Sequence, residues 1–296
     1  MPRLQDASFR NSHVINEGLE PNFRESRPFA VPESSSLKPI VYFSPGLFDL
    51  GGTSRFGRLQ VEALRSLCGR PDPTVLSMLG PEAGGFDDPF PVDFYAGGNR
   101  LRHKIAFVSR ALASWRSGGI YWAGLLNYAS LARSMARISG GQTVVNIYGF
   151  EVWSNPRRYD RQALKRSWVL SDCHATLETG IELGMVDPSR ATVIWDPVDI
   201  QQFTPGPPDP GLGLRFGMKT DSPFRVMFLA RLGRDAKYKT PDRLIRAFCQ
   251  ARLPPGSELV IAGNGNWVEE LRQLAQDQPG GSRVIFPGRI AEKDLP

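Results

Sequence analysis

Two cations and two glycine clusters are the residues of this 296-residue chain whose types and spacing could do chemistry. Arg231 closes the apolar run 225–230, and Lys239 directly precedes a stretch that Thr240 can cap and Pro241 can open as a helix. Both then stand at the carboxyl edge of a sheet, where open α/β sheets bind ligands. An Arg fork, a Lys point charge and a helix amino end would together neutralise a diphosphate. In a chain this basic, the same two residues are also ordinary solvated surface charge. Gly51 and Gly52 lie between a first strand and a first helix, so the backbone can approach a phosphate or a sugar hydroxyl closely. A glycine pair is equally the composition of a tight turn. Gly263-Asn264-Gly265 follows another apolar run, and Val268 in place of a third glycine argues against a dinucleotide cofactor.

The elements that would position these residues alternate. Short apolar or β-branched runs at 39–43, 74–79, 120–122, 143–148 and 191–195 read as strands. Helical patterns fall between them, over 101–115 and 161–168 and in a stretch carrying Phe56, Leu59, Ala63, Leu64 and Leu67 on one face. In the 101–115 helix, Leu101, Ile105, Val108 and Leu112 share one side, with basic residues opposite. Alternation of this kind predicts a parallel sheet with helices on both faces. Residues 204–223 turn to Pro and Gly, a composition expected to hold neither ladder nor helix, and read as a linker. Beyond it the pattern restarts, with strands at 225–230, 258–262 and 283–286 and a helix at 267–275. The expected organisation is a flexible arm at 1–38, a complete α/β domain at 39–203, the linker, and a partial nucleotide-binding domain at 224–296. Because a sheet of this type needs further strands to bury both faces, the second domain is expected to be incomplete, and the chain as written to be poorly soluble and inactive.

Composition sets the remaining bounds. The formal net charge of +6 and pI near 9.4 suggest acidic partners, and the basic excess lies mainly between Arg100 and Arg166. No aromatic ladder or nucleic-acid motif accompanies it, so a phosphorylated substrate or membrane surface is expected rather than nucleic acid. Cys68, Cys173 and Cys249 are odd in number and widely spaced, as reduced and mostly buried cytosolic thiols would be. His13, His103 and His174 show no metal spacing, and no metal site is expected. No run reaches membrane-spanning length and the amino terminus lacks a signal-peptide core, which places the chain in the cytoplasm. The basic stretch from Leu101 to Trp115 leaves open a peripheral contact with the inner face of the membrane; a helix of this type is also simply one half-buried in its own domain.

Taken in order, these segments resemble the retaining GT-B glycosyltransferases of the family-four type. The loop at 43–59 looks like that family's glycine-rich first loop, and Tyr148-Gly149-Phe150-Glu151-Val152-Trp153 like the His-Gly-x-Glu-x-Trp segment of some members. VIWDPVDIQQFTP at 193–205 is similar to V-I-P-N-G-V-D-x-x-x-F-x-P, and VMFLARLGRDAKYKTPDRLIRAF at 226–248 to the G-R-L…K-G-x-x-x-L-I-x-A-F block. The resemblance runs from about Ile40 to Leu295. It implies two Rossmann-like, doubly wound domains facing a cleft. It also implies transfer of a sugar from a UDP- or GDP-sugar to a saccharide or lipid-linked acceptor, without metal or other cofactor, in polysaccharide or glycolipid assembly. Arg231 and Lys239 would hold the donor diphosphate, Gly52 would approach the donor from the first domain, and Gly263 and the backbone around Ile290 would line the nucleoside. Tyr148 stands at the catalytic histidine position, where a phenol donates a hydrogen bond but is a poor base near neutral pH. Thr240 replaces the glycine after the phosphate lysine, and the family's Glu-x7-Glu segment would lie beyond Leu295. Those departures sustain an alternative, a non-catalytic GT-B-like chain that binds a nucleotide or a partner.

Overall fold

The computed structural model describes residues 38–49, 51–68, 72–81, 90–154, 156–207 and 209–295. The arm expected at 1–38 lies outside the described residues except for Lys38. The first half runs β1 (Ile40–Ser44), α1 (Gly52–Cys68), β2 (Thr74–Ser77), β3 (Phe94–Tyr95), α2 (Leu101–Ala113), β4 (Ile120–Ala123) and α3 (Ala129–Ser139). It continues through β5 (Gln142–Ile147), α4 (Gly149–Trp153), α5 (Arg158–Leu164), β6 (Trp168–Ser171), α6 (His174–Glu182) and β7 (Ala191–Val193). After α7 (Pro210–Arg215) come β8 (Arg225–Leu229), α8 (Pro241–Gln250), β9 (Glu258–Ala262), α9 (Val268–Gln276) and β10 (Val284–Gly288).

Two parallel sheets result, one of seven strands in the order β3-β2-β1-β4-β5-β6-β7 and one of three in the order β10-β9-β8. They share no strand, and both belong to one compact unit, Lys38–Pro296. The first sheet reverses its winding between β1 and β4, so its helices cover both faces. Strand alternation shows this directly: Val41 and Phe43 join the core beneath α3, whereas Tyr42 turns to the opposite core with Leu47 and Val61. Alanines at 129, 132 and 136 let α3 approach the sheet closely, and each large apolar side chain buried there contributes about 1.5–3 kcal/mol. In the second sheet, β9 is buried throughout, while β8 only half-buries Val226 and Phe228 and leaves Met227 and Leu229 exposed.

Four expectations need correction. Residues 161–168 do not form one helix: α5 ends at Leu164 and Trp168 opens strand β6. The proline-rich 204–223 segment does hold a short helix, because Pro at its first turn forfeits no bond and the Asp209 carboxylate accepts from the Gly211 and Leu212 N–H groups at 2.8 and 3.3 Å. Thr240 makes no side-chain cap at α8, although Pro241 does open that helix. Cys173 and Cys249 are free but half-buried rather than buried.

Thr240 is the non-glycine residue with positive φ among the described residues, at φ 53° and ψ 43°. A β-branched side chain in the left-handed region costs about 1–2 kcal/mol. Thr240→Gly should therefore raise unfolding stability by about 1 kcal/mol, read as a higher urea midpoint with unchanged slope. A lower midpoint would show that the threonine side chain contributes more than the backbone strain costs.

Candidate active site

The carboxyl ends of β8 and β9 are stitched together. Leu232 N–H donates to Asn264 O at 2.9 Å, Trp267 N–H to Leu232 O at 3.0 Å, and Arg234 N–H to the Asn266 side-chain oxygen at 2.9 Å. The crossing is close enough that a Cβ on Gly263 would collide with the Ala230 carbonyl oxygen, and one on Gly265 with the Leu232 backbone. Gly263 also sits at φ +136°, where a side chain would be strained. These glycines thus serve the fold before any ligand. The crossing leaves a cavity of about 540 Å³ lined by Arg231, Gly233, Asp235, Asn264, Gly265 and Asn266.

Arg231 reaches Asp235 at 2.7 Å in a largely exposed ion pair, an interaction worth at most about 1 kcal/mol. A diphosphate can displace such a partner. Lys239 ends the 3-10 turn Arg234–Lys239, exposed and at the amino end of α8, and does not itself line the cavity. Gly263 lies behind the lining, and Ile290 is buried just past the end of β10. The residues singled out in the second half therefore gather around the carboxyl ends of one three-stranded sheet.

The glycine pair of the first half stands at the amino end of α1. Gly51 N–H donates to the Asp49 carboxylate at 2.8 Å. Gly52 opens α1, is exposed, and a Cβ there would meet nothing within 4 Å, so packing does not require glycine. The loop is pinned by Arg58, which is buried and donates to the Leu47 and Asp49 carbonyls at 2.8 and 3.0 Å. Burial pushes its guanidinium pKa down, opposed by Asp49. Arg58 escaped sequence reasoning because α1 buries Ser54, Phe56, Gly57, Arg58 and Val61, while Ala63 of the expected apolar face is exposed. Across the two halves, the Phe150 and Tyr238 rings stack with centroids 6.1 Å apart, and within the first half the Arg55 guanidinium lies 5.3 Å from the Phe203 ring centre.

A second cavity, of about 580 Å³, opens at the carboxyl edge of the first sheet. Its lining includes Lys104, Val108, Tyr128, Glu151, Arg157 and Asp160, brought by α2 and by the segments after β4 and β5. Glu151 is the carboxyl of this lining that is shifted furthest. Burial, assisted by Asp172, pushes its carboxyl up to about 7, against a 2.7 Å hydrogen bond from Tyr148 N–H. A carboxyl that titrates near neutrality can accept or release a proton at working pH. Asp160 is also raised by burial, despite the Ser130 hydroxyl donating to it at 2.8 Å and Arg157 nearby. Asp196 is raised by burial and by Asp172, whose Oδ1 is buried without a hydrogen-bond partner.

Tyr148 directly follows β5 and precedes α4. Burial drives its phenol far above the ordinary range, with Tyr42 adding to the shift and Asn146 opposing it. It stays neutral and offers no base. A polar network supports it: Tyr42 OH and Asn146 Nδ2 donate to Gln60 Oε1 at 2.9 and 2.6 Å, and Trp122 Nε1 donates to Asn146 Oδ1 at 2.9 Å. In the sequence, Glu151 is marked by its place at the Glu of the segment that resembles His-Gly-x-Glu-x-Trp and by its i+3 spacing from Tyr148. Among the described residues, no group of three or more His, Cys, Asp or Glu side chains is placed to hold a metal ion.

With this geometry in place, residues 220–296 match the family model of the Glycosyl transferases group 1. A D-inositol 3-phosphate glycosyltransferase of Mycobacteroides abscessus is 32% identical over 110 residues, covering 36% of this chain and 23% of that protein. The match thus spans about a quarter of the length of that curated relative. Among solved structures, Anabaena HepE in complex with UDP and glucose aligns with TM-score 0.68 at 18% identity, over 87% of this chain and 71% of that one. WaaG, a glycosyltransferase involved in lipopolysaccharide biosynthesis, aligns with TM-score 0.56 at 15% identity, over 86% of this chain and 72% of that one. The fold of this chain is the two-sheet α/β GT-B fold of these neighbours.

Proposed function

We propose that this chain serves as a glycosyltransferase that moves a sugar from a UDP- or GDP-sugar to a saccharide or lipid-linked acceptor. One observation carries the reading: two cavities, each at the carboxyl edge of its own parallel sheet, one bearing Arg231 and the other a carboxyl titrating near 7. In this reading residues 39–203 serve the acceptor, 224–296 the donor, and 204–223 link them. Arg231 and Lys239 hold the diphosphate, and Gly52 lets the first loop approach the donor. Gly263, Gly265 and the backbone at Ile290 form the nucleoside wall.

The reaction joins an acceptor hydroxyl oxygen to the anomeric carbon while the bond from that carbon to the diphosphate oxygen breaks. The electron pair leaves with the diphosphate, whose charge Arg231 and Lys239 stabilise as it develops. With retention, the acceptor arrives on the face from which the diphosphate departs, and a diphosphate oxygen takes the hydroxyl proton. Ionised Glu151 accepts a hydrogen bond from the acceptor and orients it, and Tyr148 remains a neutral support. No metal or other cofactor enters this scheme, and the setting is polysaccharide or glycolipid assembly. Incubation with a panel of nucleotide sugars and acceptors tests it. This reading predicts acceptor-dependent release of nucleoside diphosphate, with retained anomeric configuration in the product, against the inactivity expected from an incomplete second sheet. Nucleotide binding without any release would favour a non-catalytic binding chain.

A further inference from the structure

Helix α2 departs from the arrangement its sequence suggests. It rests on the core through Phe107 and Ala111, which are buried, while the expected inward stripe of Leu101, Ile105, Val108 and Leu112 faces out. Leu101 is 74% and Ile105 58% exposed. At about 100° per residue these four side chains fall within an arc of about 60°, a separate ridge about 110° round from the buried pair. The helix is thus anchored without them. Trp115 continues the ridge past the helix end, and Gly118 N–H donates to Ser139 O at 2.8 Å, bringing the exposed Ile138 of α3 to the same end.

Charge is segregated around this ridge. Between Asp93 and Glu151 the sequence contains no Asp or Glu, but it contains Arg100, Arg102, Lys104, Arg110, Arg116, Arg133 and Arg137. Those seven cations exceed the formal net charge of +6 of the whole chain, so the remainder is close to neutral. Arg102 and Lys104 are exposed on α2 to either side of the ridge, about 90° and 70° from it, whereas Arg110 is exposed opposite it. An apolar ridge flanked by cations, with a tryptophan at one end, is the arrangement of a helix lying in the interface of an anionic bilayer. Self-association through the same face would bring two sets of like charge together, which disfavours a second copy as the occupant. Among the described residues no helix is long and apolar enough to cross a membrane, so contact through α2 would be peripheral.

We infer that α2 is a docking surface for an anionic phospholipid membrane, with Leu101, Ile105, Val108 and Leu112 entering the interface and the flanking Arg and Lys side chains meeting lipid phosphates. Lys104 and Val108 belong both to α2 and to the cavity that holds Glu151. Docking would therefore place that cavity mouth at the bilayer, within reach of a lipid-borne acceptor. That last consequence rests on the transfer reading; the docking itself does not.

Co-sedimentation of the 296-residue chain with vesicles tests the docking without turnover. The protein should pellet with an equal mixture of phosphatidylcholine and phosphatidylglycerol and stay in solution with phosphatidylcholine alone. High salt should release it. Ile105→Asp with Leu112→Asp should abolish pelleting, and because both positions are exposed, the urea midpoint should not move. Arg102→Gln with Lys104→Gln should weaken binding about fivefold per cation, about 25-fold together. Equal pelleting with both vesicle types would overturn the inference, as would parental binding by the double aspartate variant. So would a dimer that the aspartates dissolve in a protein that binds no vesicle.

Discussion

Arg231→Ala and Lys239→Ala should each weaken nucleoside diphosphate binding by about 1.5–3 kcal/mol, the range for hydrogen bonds to a charged group, or roughly 10- to 150-fold. The two cations act differently. Arg231 lines the cavity between the crossing loops and now spends its guanidinium on Asp235 at 2.7 Å. That pair is exposed and weak, so a diphosphate that offers several acceptor oxygens should replace it. Asp235→Asn then has a distinct expected sign: removal of the competing carboxylate should leave affinity unchanged or raise it. Lys239 contributes through position, next to the amino end of α8, where the helix dipole also favours an anion. Calorimetric titration with UDP and with GDP measures all three variants. Affinities of the alanine variants within twofold of the parent would remove these residues from the donor site.

Glu151→Gln should separate activity from stability in opposite directions along the pH axis. The carboxyl is raised from an ordinary 4.5 to about 7, chiefly by burial. Below about pH 4.5 it is protonated whether the chain is folded or not, and burial costs it nothing extra. As pH rises through about 7, the folded protein must carry a buried charge, so stability on the order of 3 kcal/mol is lost across that window. Transfer requires the ionised form, so activity should climb about tenfold per pH unit and level off above about 7. The glutamine variant should lose both slopes: flat stability over this range, greater stability than the parent at pH 8, and a rate lower by about 100-fold at the plateau. Urea unfolding and initial-rate measurements over one pH series would check both. A parental pH–rate profile in the variant would show that Glu151 has no part in acceptor handling.

Much of the architecture was legible because its signals are local. The run 258–262 is apolar after Glu258, with β-branched Val260 and Ile261 at its centre, and forms β9 with the same bounds. The features that were not legible depend on what packs against them. Strand β6 has four residues and no glycine or proline at its start, so the helical pattern before it read straight through. Helix α3 buries alanines, which carry little hydrophobic period. Helix α2 has two apolar faces, and the sequence cannot say which one the core takes; the smaller set, Phe107 and Ala111, goes in. The site divides the same way. Arg231, Lys239 and the glycines could be named from type and spacing. The glycines at 263 and 265 prove to be required by a loop crossing as well. Glu151 and Arg58 owe their properties to burial, which no spacing reveals.

The central claim is that a nucleotide-sugar donor sits between the β1–α1 loop and the carboxyl ends of β8 and β9. Backbone amide resonances recorded during a UDP titration test it most directly, since the glycine amides at 51, 52, 263 and 265 report from both walls. The account predicts saturable shifts at Gly52, Arg231, Gly233 and 263–266 with one dissociation constant, while α2 and α3 stay still. Saturable shifts confined to other surfaces, or none at millimolar UDP, would contradict it.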